Sequence, residues 1–182
     1  MDDIDFPKEL IAEFRSRGLE KNIKSHIYLI NKGDWVKKVY LVLKGGLVVT
    51  YINPKNGDEK AINFFIPGFH ALATICNAFL PGESSQYYLK TFTNTNVIEM
   101  DKSELDQLIC MPEYANVFHQ YSIRTLMEKN AMRTMLISLD SLEMLQYLKQ
   151  KYPQLLNEVP SKYIANYLGI TPQWLSKLKH EL

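Results

Sequence analysis

The change of periodicity near Asp101 constrains this chain more than any other feature. From Leu19 to that residue the sequence runs in short β-type stretches separated by turn residues: "HIYLINKGDW", "KKVYLVLKGGLVVTYINPKNGDEKAINFFIPG" and "YYLKTFTNTNVIEMD". Beyond it apolar residues recur at helical spacing, and Pro112 opens a segment to about Ile137 with no Gly or further Pro. A helix of about 25 residues is about 38 Å long, more than a small domain needs. The pattern predicts an α+β chain in which an antiparallel all-β unit is followed by a long helix and further helices.

Smaller signals fill this frame. Leu10, Ile11 and Phe14 place a leading helix over Phe6 to Arg17, stopped by Gly18. "YLVLKGGLVVTY" reads as two strands meeting at Gly45-Gly46, and Asn56-Gly57 marks a hairpin between "VVTYI" and "AINFFI". "PGFHALATICNAFLPGE" reads as a loop and short helix among the strands, and "DKSELDQLIC" as a short helix with an acidic start. Ser138 to Tyr152 forms another helix, closed by Pro153. The expected units are 1–111, 112–137 and 138–182, with a boundary near Ser138-Leu139-Asp140. Along the long helix Val117, Tyr121, Met127, Ala131 and Met135 approximate a heptad stripe. Such a stripe packs either on its own sheet or on a twin; a length exceeding the β unit favours a homodimer.

The last 22 residues, from Ser161, carry the most specific pattern. Ala165 is small enough for two helices to approach, Gly169 suits a tight turn, and Ile170, Leu175 and Leu178 close a core between the helices. Thr171 caps the second helix and Pro172 fits its first position. This is a helix-turn-helix pattern. With Leu175 and Leu178 inward, Thr171, Gln173, Trp174, Ser176, Lys177 and Lys179 are left to face double-stranded DNA. Gln pairs with adenine, Lys with guanine or phosphate, and Ser and Thr hold phosphates. An ordinary helix pair would meet any one of these positions by chance, but not the whole set at fixed offsets.

Charge is distributed in the same sense. The net charge is +1, yet from Ile123 onward eight basic residues face five acidic ones, leaving +3 there and −2 in the remainder. The opening "MDDIDFPKEL" lacks the order of a secretory signal, and no apolar run suits a membrane span, which predicts a cytoplasmic protein. Cys76 and Cys110 are too few to ligate an iron-sulfur cluster. His26, His70, His119 and His180 fall on a presumed strand, loop, long helix and recognition helix, so they cannot converge on one metal. No Gly-x-Ser-x-Gly elbow or phosphate-binding Gly-rich loop is present, and a catalytic role is not expected.

The order of parts, and "YLVLKGG" and "IANYLGITPQWLSKLKHEL" in particular, resembles the cyclic-AMP receptor/fumarate-nitrate regulator (Crp/Fnr) family of bacterial transcription factors, along essentially the whole chain. The resemblance implies a jelly-roll β domain like those that bind cyclic nucleotides, a long dimerisation helix and a terminal DNA-binding unit, with RNA polymerase as a further partner. An effector in the β-roll would shift the dimer helices and reorient the reading heads. It also implies an effector segment at Phe69, His70, Ala71, Leu72, Ser84, Ser85 and Gln86. Cyclic-nucleotide binders have a Gly-Glu pair and an Arg there; here His70-Ala71 stands at the first and Ser84, Ser85 or Gln86 at the second, so cyclic AMP is not the expected ligand. Lys90 is expected to point outward and not to replace that Arg. As a haem ligand His70 or Cys76 could be named, but a lone loop His is ordinarily a surface or capping residue. The effector is then another small molecule or none, and the alternative is a degenerate β-roll serving as a scaffold or protein-docking surface. The resemblance further implies a β-hairpin wing after the second helix, and the sequence to Leu182 is expected to act without one.

Overall fold

The structure is a computed structural model and describes residues 4–75 and 82–181. Cys76 and the short helix expected around it lie outside these residues. After α1 (Lys8–Arg17) come β1 (Leu19–Ile23), β2 (Tyr28–Ile30), β3 (Lys38–Lys44), β4 (Leu47–Ile52), β5 (Glu59–Phe65), β6 (Leu72–Ala73), β7 (Tyr88–Thr91) and β8 (Thr95–Asp101). The helices α2 (Lys102–Cys110), α3 (Pro112–Ser138), α4 (Ser141–Lys151), α5 (Pro153–Glu158), α6 (Ser161–Leu168) and α7 (Pro172–His180) follow. The strands form two antiparallel four-stranded sheets, ordered β1-β8-β3-β6 and β2-β7-β4-β5.

Asn56-Gly57 closes the β4–β5 hairpin as expected, with Gly57 at a φ of 76°. Gly45-Gly46 does something else. β3 and β4 do not pair; the chain crosses there from one sheet to the other. Gly45 takes a φ of 76°, and a Cβ on Gly46 would lie 2.2 Å from Phe92 Cζ, so the crossing needs both glycines. The stretch after Pro67 is also not helical where described: Ile66 bridges Phe69, and β6 pairs with β3. His26 sits in the β1–β2 turn at a φ of 63° and not in a strand.

The inner strands β3 and β4 are buried on both faces, which explains their being apolar at nearly every position, while the edge strands β1 and β2 are more exposed. The space between the sheets is filled by Tyr40, Val42, Leu47, Val49, Phe65, Leu89 and Val97. The outer face of the first sheet, Val39, Leu41, Ile98 and Met100, is covered by α1, α2 and Tyr121 of α3. The outer face of the second, Val48, Ala61, Phe64 and Phe92, is covered by the C-terminal helices through Leu145, Leu148, Tyr163 and Ile164. Alternation is lost in the inner strands because neither of their faces meets water.

The 27-residue α3 ends at Ser138, and α4 restarts at Ser141 after two extended residues, Leu139 and Asp140. Asp140 caps α4 with a complete capping box: its carboxylate accepts from the Leu142 and Glu143 amides, and Glu143 accepts from the Asp140 amide. Pro153 does not simply end the helical run. It is the first residue of α5, where its missing N–H costs nothing.

Candidate nucleic-acid interface and effector segment

The terminal helix pair is built as its sequence requires. Gly169 is left-handed (φ 72°, ψ 24°), and its N–H closes α6. Thr171 Oγ1 accepts the Trp174 N–H at 3.1 Å, and Pro172 occupies the first position of α7. Ile164, Ala165, Leu175 and Leu178 are buried between the helices. The outward side of α7 therefore presents Gln173, Trp174, Ser176 and Lys177, all exposed, with Lys177 Nζ 4.9 Å from the centre of the Trp174 ring. Thr171 is exposed at its start but its hydroxyl is spent on the cap. Lys179 turns the other way and donates to Ser161 Oγ at 3.1 Å, so it ties α7 to α6.

On α3 the sequence stripe divides between two faces. Tyr121 is buried against Phe6 and Phe118, with Val117 in the same cluster, and Met135 packs beneath the C-terminal helices; Ala131 is half-buried. Met127, by contrast, is 69% exposed, and it shares the open side with Ile123, Leu126 and Ile137. Ile123, Met127, Asn130, Thr134 and Ile137 follow a 4-3-4-3 spacing, a heptad seam offset from the one expected. The signal was in the sequence, but which side of a helix meets its own sheet is a tertiary fact.

The effector segment splits into two differently held parts. Phe69, His70, Ala71 and Leu72 are buried under α3, while Ser84 to Gln86 lie by the β2–β3 loop. Ser85 is spent within that loop: its N–H donates to Asp34 O at 2.9 Å, its carbonyl accepts from Gly33, and its hydroxyl donates to Tyr87 O at 2.7 Å. Lys90 does point out of the roll, yet α6 covers it. Its ammonium meets Glu59 and lies 5.3 and 5.6 Å from the Tyr28 and Tyr163 rings. Burial works against that charge, but the Glu59 carboxylate outweighs it and holds the lysine above its ordinary pKa.

His70 is not the surface residue expected of a lone loop histidine. It is fully buried at a φ of 50°, its ring against Phe69 at 3.8 Å between centres. Its amide donates to Asp5 at 3.0 Å, and Asp5 in turn pairs with Arg124 of α3. Burial, reinforced by Lys129 and Arg124, pushes the imidazole down to about 3, so the neutral ring donates Nε2–H to Glu128 Oε2 at 3.0 Å. Nδ1 is left without a partner.

This depressed pKa ties stability to pH. The folded form disfavours the His70 proton that the unfolded chain binds near pH 6.5, so the contribution is whole above that value and is lost as pH falls toward 3. Glu128, whose own pKa burial raises, offsets part of the loss by taking up a proton. Denaturant titrations at pH 7 and pH 5 should differ by about 1–2 kcal/mol from this residue, and His70→Gln should flatten that difference.

Among the described residues no group of three His, Cys, Asp or Glu could hold a metal, and no helix is long and apolar enough to cross a membrane. The sequence matches no family model and no curated protein. The backbone is more informative. The c-di-GMP responsive global regulator CLP of Xanthomonas campestris superposes over 96% of this chain and 91% of its own, with a TM-score of 0.69 at 15% identity. A Crp/Fnr-family transcriptional regulator from Eubacterium rectale superposes over 97% of this chain and 83% of its own, with a TM-score of 0.65 at 10% identity. The chain has the Crp/Fnr fold. FixK2 of Bradyrhizobium japonicum shares it over 91% of this chain and 84% of its own (TM-score 0.69, 15% identity). Within that fold α3 runs from α2 to the C-terminal helices α4 to α7.

Proposed function

We propose that this protein is a DNA-binding transcriptional regulator that works as a homodimer. The observation that carries the reading is the exposed side of α7, where Gln173, Trp174, Ser176 and Lys177 project from a helix capped by Thr171 and set by the Gly169 turn. One such helix reads half a site. Two of them about 34 Å apart read successive major grooves. The Ile123, Leu126, Met127 and Ile137 side of α3 is the surface on which a second copy would bury the apolar area now open to water. The likeness to Crp/Fnr regulators supports both parts.

The β-roll is proposed to answer to something other than cyclic AMP. No Arg lies between Pro67 and Lys90, Ser85 is closed on its own loop, and His70 is committed to Glu128. A guanidinium-free site forgoes the bidentate partner that a cyclic phosphate favours.

A salt-controlled titration against random duplex DNA, with sequencing of what is retained, tests the whole reading. Recovery of a palindrome with half-sites one helical turn apart is the expected result. Weak, steeply salt-dependent retention with no enriched motif would refute sequence reading by the protein as purified. Met127→Glu with Ile137→Glu should convert dimer to monomer in sedimentation and abolish retention of the palindrome; a dimer that survives both would place the interface elsewhere.

A further inference from the structure

Among the described residues of α4 to α7, Trp174 is the only large apolar side chain that stands exposed, at 44%. It has no part in the core of Ile164, Ala165, Leu175 and Leu178 that holds the helix pair together. A single exposed apolar residue is ordinary on a protein surface. What sets this one apart is where it stands and what it touches. Its amide is the one capped by Thr171 Oγ1, so it is the third residue of α7, in the N-terminal turn that a recognition helix offers to base edges. Three residues on, Lys177 lays its ammonium over the indole, 4.9 Å from the ring centre, and that spacing puts both on one side of the helix. The neighbouring cations are engaged elsewhere: Lys179 donates to Ser161 Oγ, and Lys162 lies over the Tyr163 ring at 4.8 Å.

The pair is an apolar surface and a hydrogen-bond donor held side by side. On the major-groove edges of the four bases the one apolar group is the C5-methyl of thymine, and the group next to it on the same ring is O4, an acceptor. Cytosine carries a hydrogen and the N4 amino donor at those two places. 5-Methylcytosine restores the methyl but sets a donor against an ammonium that has only donors itself. Guanine satisfies the ammonium through N7 and O6 and gives the indole nothing. Thymine alone suits both halves, with its methyl on Trp174 and its O4 accepting from Lys177 Nζ.

We propose that Trp174 and Lys177 together form a thymine reader, with Trp174 the specificity-determining residue at one position of each half-site. The inference rests on α7 being the reading helix, as proposed above, and adds the base that one position requires. The cation–π contact holds the ammonium beside the indole before DNA arrives, so less side-chain freedom is lost on binding. Gln173, on the residue before Trp174 and equally exposed, is left for a different base pair.

The test takes the palindrome recovered from random duplex and alters the DNA before the protein. Each thymine of one half-site is replaced in turn by deoxyuridine, which removes the C5-methyl and nothing else, and affinity for the full chain is read by fluorescence anisotropy at fixed salt. At one position the loss should be about fourfold, the effect of burying one apolar carbon. That loss should vanish in Trp174→Ala and persist in part in Trp174→Phe. At the same position a 5-methylcytosine–guanine pair, which keeps the methyl and reverses the polar group, should bind about fivefold or more weakly, and Lys177→Met should narrow that gap. No methyl-sensitive thymine, or a loss of equal size in Trp174→Ala, overturns the proposal, because an indole that only shields the helix is indifferent to a methyl in the groove. Equal binding of thymine and 5-methylcytosine overturns the choice of thymine. If Trp174→Ala does not fold, the deoxyuridine scan on the original chain and on Trp174→Phe decides. A palindrome that depends on α7 yet has no methyl-sensitive thymine rejects the thymine reader alone, whereas recovery of no palindrome rejects the reading helix and the thymine reader with it.

Discussion

Replacing Gln173 and Lys177 together by Ala is expected to weaken binding to a selected palindrome by about 2–6 kcal/mol per reading head, at 1–3 kcal/mol for each base contact. Both side chains are on the exposed side of α7, and neither holds up the helix pair, whose core is Ile164, Ala165, Leu175 and Leu178. The loss should therefore appear in fluorescence anisotropy with the specific duplex while thermal stability is unchanged. The two substitutions should also separate. A base contact at Gln173 or Lys177 relaxes preference at one position of the site, and removing the Lys177 charge also reduces the salt slope by about one. Unchanged specific binding in the double variant would remove α7 as the reading element.

Phe64→Ala is expected to cost about 3–5 kcal/mol of stability in urea titrations, the range for a buried Phe truncated without collapse of its surroundings. Phe64 is 1% exposed and stands on the outer side of β5, where Tyr167 meets its ring and the C-terminal helices close over it. Truncation opens a void between the second sheet and the C-terminal helices, which the chain reaches only through Leu139-Asp140. A loss below about 1 kcal/mol would mean that the helices do not rest on this face.

What the sequence disclosed follows the range of the forces involved. The helix-turn-helix was legible because its constraints sit within 18 residues: Ala165, Gly169, Ile170, Thr171, Leu175 and Leu178 satisfy one another locally. The long helix was legible from the missing Gly and Pro. The crossing at Gly45-Gly46 was not, since strand partners are chosen across the chain, and β3 pairs with β8 rather than with its neighbour in sequence. The same reason divided the α3 stripe. Tyr121 and Val117 look identical in periodicity to a dimer seam until α2 and the first sheet are in place beside them. His70 was misjudged because its burial depends on Glu128, 58 residues away, supplying an acceptor. Asn166 of α6, whose carboxamide accepts the Ala61 N–H and donates to the Glu59 carbonyl of the edge strand β5, gave no signal at all, because an amide on a short helix is unremarkable until an edge strand lies beneath it.

The second sheet, clothed on its outer face by the C-terminal helices, bears on how this chain can be divided. A fragment ending at Leu139 would present Val48, Phe64 and Phe92 to water, beside a β5 edge stripped of the amide that occupies it. Exposed apolar strands next to bare backbone are the ingredients of intermolecular sheet growth. The β-roll of this protein is thus a poor candidate for an interchangeable cassette. Grafted onto a foreign DNA-binding unit, or expressed by itself, it should aggregate unless the newcomer brings its own cover for that face.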